Sequence, residues 1–172
     1  MNRRNFLGAM TVAAAICTNA IAALAGPGDS PVPSISGTAA TRVLYIVPGI
    51  IKNNGLETAI MCTSMDTVAS TLAFEIFTPE GGGPMNDVST GGLNGTLPLP
   101  VGATVTISTG SSVGLHEDLA INGLVNVKNG SARILGTSTR VLCTGLIVDK
   151  AAVTPNTVAT LKIFARHKQN GD

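Results

Sequence analysis

Tryptophan is absent from these 172 residues, and one tyrosine and four phenylalanines are the whole aromatic supply. Carbohydrate recognition through stacked aromatic platforms is therefore excluded, and a core has to be assembled from Val, Ile, Leu and Ala. Charge is equally scarce: only 12% of residues are Asp, Glu, Lys or Arg, with 11 basic against 10 acidic side chains. No basic stripe exists, which excludes nucleic acid and anionic membrane surfaces as partners. The chain has no Gly-x-Ser-x-Gly elbow and no Asp-x-Asp-x-Asp loop. The Gly-rich stretch Pro79-Glu80-Gly81-Gly82-Gly83-Pro84 is followed by no Lys-Ser/Thr pair, so it reads as a loop and not as a phosphate cradle. No window holds a 3.6-residue apolar period over three turns, which argues against long helices.

What is present begins with an address. Arg3 and Arg4 form a short positive segment, an apolar run extends from Phe6 to about Ile16, and Ala23-Leu24-Ala25 supplies a small-x-small cleavage pattern before Gly26-Pro27. The expectation is an exported protein, periplasmic or extracellular, with residues 1–25 as a signal peptide. The run is too short for a membrane span and is broken by Thr18-Asn19, so no span is expected after removal. Arg3-Arg4-Asn5-Phe6-Leu7 resembles the twin-arginine export motif, with Asn2 and Gly8 departing from its usual residues. Both that route and the general export route stay open. Cys17 belongs to this segment and reads as an apolar filler. Without Arg3 and Arg4 the remaining chain is net −1.

Residues 26–40 are rich in Gly, Pro and Ser and read as an N-terminal spacer, leaving 41–168 as a single domain large enough for a core. Its Thr, Val and Ile content favours β structure. Strands are expected over Thr41–Val47, ending at Pro48-Gly49, then over Glu57–Thr63 after the Asn53-Asn54-Gly55 turn, and over Ser70–Phe77. Ala103–Thr109 alternates most cleanly, with Val105 and Ile107 expected inward and Thr104, Thr106 and Ser108 outward. Leu124–Lys128, Ala132–Leu135, Thr139–Val148 and Thr157–Arg166 complete about nine strands, with Asn129-Gly130 as a hairpin turn. Such spacing describes an antiparallel sandwich. Cys62 and Cys143 remain once the leader is set aside. An even pair in an oxidising compartment reads as a disulfide, the alternative being two free buried thiols. Met61-Cys62-Thr63 with Val68–Leu72 is echoed by Leu142-Cys143-Thr144 with Val158–Leu161, which suggests two related hairpins joined at the cysteines or a coincidence of β-rich segments.

The layout carried by Val43–Gly49, Thr58–Thr63, Val68–Phe74, Gly81–Gly83 and Pro100–Thr106 resembles secreted bacterial immunoglobulin-like sandwich domains. That resemblance implies an immunoglobulin-like sandwich serving as a surface, adhesive or spacer module. It transfers no functional residues.

His116-Glu117-Asp118 is the one titratable cluster. A metal or general-base role needs ligands from elsewhere, and His167 is the only other histidine. Side chains of adjacent residues on a strand alternate in direction, so the triplet reads first as a solvated loop and only secondarily as metal ligands. Asp66, Glu75, Glu80, Asp87 and Asp149 lack a paired-acid spacing, and Arg166-His167-Lys168-Gln169 reads as a polar end to the last strand. No cofactor and no catalytic activity are expected. The sequence points to a non-enzymatic structural or interaction module, whose partner is a protein, a second copy of the chain or a cell-envelope component met at exposed strand edges. The alternative is an exported ligand- or metal-binding accessory protein. A pilus-type subunit ranks lower because residues 26–40 lack the long alternating run of a donor strand.

Overall fold

The computed structural model describes residues 26–37, 39–86, 88, 95–112, 114–121, 123–124, 126–153 and 158–166. The export-signal residues Arg3, Arg4, Phe6, Leu7, Ala23 and Ala25 lie outside them, as do Cys17, Asp87 and His167. Ten strands are formed: β1 (Arg42–Asn53), β2 (Leu56–Ser64), β3 (Ser70–Phe77), β4 (Thr96–Leu99), β5 (Thr104–Ser108), β6 (Leu119–Ala120), β7 (Val127–Gly136), β8 (Val141–Asp149), β9 (Val158–Leu161) and β10 (Phe164–Ala165). The all-β expectation holds, and no helix occurs among the described residues. The strands join into one sheet that curls nearly into a barrel. Its orientation is mixed and not purely antiparallel, because β5 and β6 pair in parallel through Ile107↔Leu119 and Ser108↔Ala120. The chain between them loops back to run alongside β5 in its own direction, which a tight hairpin cannot do.

β1 organises this sheet. Its central part lies between β7 and β10, and its end pairs with β2 through Lys52↔Glu57 and Asn53↔Leu56. Asn54 and Gly55, with φ of 51° and 81°, make the tight turn between them, as Asn53-Asn54-Gly55 predicts. Pro48-Gly49 does not end the strand. Pro48 still faces Ser131 of β7, and Gly49, with φ of 83°, takes up a bulge between Pro48 and Ile50. A second register shift lies between Val43 and Tyr45. The bulges break strict alternation, so Leu44, Val47 and Ile50, three residues apart, are the buried positions.

Asn129-Gly130 is likewise no turn, since β7 runs through it as one strand and Gly130 pairs with Ile50. A Cβ on Gly130 would lie 2.6 Å from Val127 Cγ1 and 2.7 Å from the Phe77 carbonyl oxygen. The glycine is there because backbone and side chain close in on it, not because the chain reverses. The echo of the two cysteine segments does not produce two hairpins either. β8 pairs with β9, but β2 pairs with β5 and β8 while β3 pairs with β4 and β7.

The main core fills the inside of the curl with Leu44, Val47, Ile50, Ile60, Leu72, Phe74, Ile76, Leu99, Val105, Ile107 and Ile134 among others. Val105 and Ile107 face inward as the alternation predicts. Thr104 is exposed, but Thr106 and Ser108 are buried, against expectation. The chain after β5 returns along it, with Asp118 N–H donating to Thr106 O (3.0 Å) and Ile121 N–H to Ser108 O (2.9 Å), and removes that strand from solvent.

The outer face of β3 and β7 is covered as well. Arg133 on β7 is fully buried; its Nε donates to Glu75 on β3, and its Nη1 and Nη2 donate to the carbonyl oxygens of Ser30 and Pro31, each at 2.6 Å. Its guanidinium also stands 5.5 Å from the Phe77 ring centroid. Ile35 packs beside it with Ala73, Val88 and Leu135. Residues 30–35, within the stretch read as a spacer, therefore lie docked on the sheet.

Two stability measurements by chemical denaturation test this packing. Ile107→Ala should cost about 2–4 kcal/mol through cavity formation, with Thr106→Ala costing more than Thr104→Ala. Arg133→Ala should cost about 3–5 kcal/mol, because Glu75 is left buried and unpaired. It should also make residues 26–35 newly sensitive to proteolysis.

Candidate functional site

Two places gather polar chemistry. The first is built on β2, where Ile60 and Cys62 turn into the core, so that Glu57, Ala59 and Met61 take the opposite face. Glu57 and Ala59 are nonetheless fully buried. The connection from β5 to β6 crosses them, so closely that a Cβ on Gly110 would lie 2.7 Å from Glu57 Oε2 and displace that carboxylate. Neither carboxylate oxygen of Glu57 has a donor at hydrogen-bonding geometry. Beside it stands the carboxyl of Glu117, which accepts a hydrogen bond from Ser112 N–H at 2.9 Å. Burial, and then the neighbouring Glu117 carboxyl, push the Glu57 pKa up to about 7, against the smaller opposing pull of the Ser112 hydroxyl and Lys150.

The His116-Glu117-Asp118 triplet is thus split three ways. The His116 side chain is 89% exposed, with Nε2 at 3.5 Å from Asp118 Oδ1. Asp118 Oδ2 accepts from Thr106 N–H at 2.7 Å and fixes the returning chain to the edge of β5. Glu117 alone turns toward Glu57. Among the described residues no group of three or more His, Cys, Asp or Glu side chains could hold a metal ion. Glu57 escapes sequence reasoning because a lone carboxylate among strand residues reads as a solvent-facing position. Its partner lies sixty residues away, with no spacing to announce it.

The second place is a cleft of about 410 Å³ where the start of β1 meets the β2–β3 and β7–β8 connections. Arg42, Asp66, Ser70, Ser138 and Arg140 line it. Asp66 accepts from Ser138 Oγ (2.5 Å) and Thr67 N–H (2.7 Å), and these bonds, in that order, hold its carboxyl below the usual range. The Ser70 hydroxyl is buried without a hydrogen-bond partner.

Cys62 and Cys143 form a disulfide. They face each other directly in the β2–β8 register with Cα atoms 4.2 Å apart, close to the spacing of a non-hydrogen-bonded antiparallel pair. The link is structural: Cys62 is buried in the core and Cys143 packs against it. Among the described residues no helix is long and apolar enough to cross a membrane. No protein-family model matches the chain, and neither does any curated protein or solved structure.

The disulfide closes a separation of 81 residues, for which chain entropy gives about 4–5 kcal/mol of stabilisation. The double substitution Cys62→Ala/Cys143→Ala should therefore cost about 2–5 kcal/mol in a denaturation experiment. In the native protein neither thiol should react with an alkylating reagent until the bond is reduced.

Proposed function

We propose that this chain is a non-enzymatic, exported structural or interaction module, an immunoglobulin-like β-sandwich variant that works by presenting a strand edge to a protein partner. The observation that carries this reading is β9. Among the described residues it pairs with β8 alone, and its first three residues are exposed. Large apolar side chains are exposed on this strand and on the elements before and after it in the chain: Val158 on β9, Leu142 on β8 and Phe164 on β10. An unpaired edge offers backbone donors and acceptors to an added strand, and neighbouring apolar side chains give the added strand something to pack on. The partner is another protein, a cell-envelope component or a second copy of the chain.

One observation favours a different class, an exported accessory protein for an anionic ligand: the cleft that places Arg42 and Arg140 on its wall with a buried, unsatisfied Ser70 hydroxyl. Saturable heat on titrating phosphate or a dicarboxylate, lost in Arg140→Gln, would select that reading.

A photo-crosslinking residue at Ala159, in protein recovered from its producing cells, tests the edge-pairing reading. A discrete protein adduct is expected there and none at Lys128 on β7, which is also exposed. Thr160→Lys, which puts a charge on the edge, should abolish the adduct without lowering stability. Absence of any adduct at position 159 would count against the proposal.

A further inference from the structure

We propose that the connection between β5 and β6 is a pH-operated latch: a proton shared by Glu57 and Glu117 keeps it seated on β2, and loss of that proton releases it. Three features of the structure carry this. Glu57 is wholly enclosed, neither oxygen has a partner at hydrogen-bonding geometry and the Ser112 hydroxyl alone offers a weak pull, so a carboxylate cannot stay ionised there without a large desolvation cost. The group brought to it by the connection is a second carboxyl, whose position is fixed by Ser112 N–H. Two acceptors facing one another attract only when one of them holds a proton, in which case an O–H···O⁻ bond satisfies both. Finally, the connection is tied down at its ends, by Thr109 to Thr58 and Ile51 and by Asp118 and the two-residue β6 to β5, while the stretch 110–117 between those ends has few anchors, chiefly the Ser108 hydroxyl on the Gly110 carbonyl. Segments with so few anchors open locally at small free-energy cost.

The charged groups facing the pair are few. Lys52 approaches from β1 and Lys150 from the end of β8, while Glu117 comes from the connection itself. Lys52 is itself held below its usual pKa, by burial and then by Lys150, and its ammonium donates to the Ile121 carbonyl oxygen at 3.4 Å. Lys150 is exposed, and its pull on Glu57 is smaller than the opposing effects of burial and Glu117. His116 faces solvent and pairs with Asp118, not with Glu57.

The sign follows from linkage. With Glu57 near 7 when covered and near 4.5 when released, the closed form holds one more proton throughout that interval. Closure is fully favoured below pH 4.5, weakens by up to tenfold per unit as pH rises, and levels off once Glu57 is ionised in both forms. The opening constant should rise on the order of 100-fold from about pH 5 to about pH 8.

Hydrogen exchange of the whole protein across that range, corrected for intrinsic rates, reads this directly. Peptides covering 110–117 should lose protection on the order of 100-fold relative to β7, whose protection should not change. Glu57→Gln, which supplies an amide donor in place of the proton, should keep the connection closed and independent of pH. A flat profile in the native sequence, or an unaltered profile in the Glu57→Gln variant, overturns the proposal. So does re-closure at alkaline pH by millimolar calcium chloride that Glu57→Gln abolishes, since the pair would then be a cation site. Should Glu57→Gln fail to fold, carbon NMR of the side-chain carboxyls decides. The latch requires a Glu57 midpoint near 7 that moves down in Glu117→Gln, and a midpoint in the ordinary glutamate range or one unmoved by Glu117→Gln refutes it.

Discussion

The whole sheet depends on β1 being able to serve several neighbours along one twelve-residue strand. It lies between β7 and β10 for part of its length and turns into β2 at its end. A regular strand has only two edges and one direction, so a strand that passes from one set of neighbours to another has to bend. The bulges at Val43/Tyr45 and at Gly49 provide the bend, and each locally increases the twist that curls the sheet toward closure. With so few aromatic residues, the space enclosed is filled by branched aliphatic side chains, and Phe74 is the one phenylalanine in the main core among the described residues. Tyr45 contributes a different tie: its hydroxyl donates to the Val141 carbonyl oxygen and links β1 to β8, strands that do not pair.

Two buried glutamates show how the same side chain takes opposite roles. Glu75 faces Arg133, whose Nη1 and Nη2 each donate to a backbone carbonyl, of Ser30 and Pro31, so the two buried charges are paired and the cation is further hydrogen-bonded. Glu57 faces another carboxyl and resolves the conflict by holding a proton. The first arrangement anchors a segment through a paired buried charge. The second ties the seating of a segment to proton concentration. Both arise because the chain folds back over outer faces of the sheet that would otherwise meet water.

These covers leave the surface uneven. Residues 30–35 protect the outer side of β3 and β7, and the chain after β5 protects that of β2 and β5. β9 has no comparable cover among the described residues, which is why the proposed partner site is placed there. The disulfide holds β8 to β2 and so gives a short strand such as β9 a fixed neighbour to pair with.

Composition and local pattern determined much of this protein. The β-branched content fixed the all-β class, Asn53-Asn54-Gly55 fixed the first hairpin, Val105 and Ile107 announced an inward face, and the two remaining cysteines announced their bond. These are short-range or pairwise-unique signals, readable because nothing distant competes with them. The tertiary structure decided the rest. Pro48-Gly49 and Asn129-Gly130 carry the residues of turns but lie within strands, because bulge geometry and close backbone approach use the same residues. Thr106 has the pattern of a solvent-facing residue yet is buried, and Glu57 meets Glu117, because a returning connection covers their face. Burial on an outer face depends on what the chain lays over it many residues later, and alternation within a strand carries no record of that.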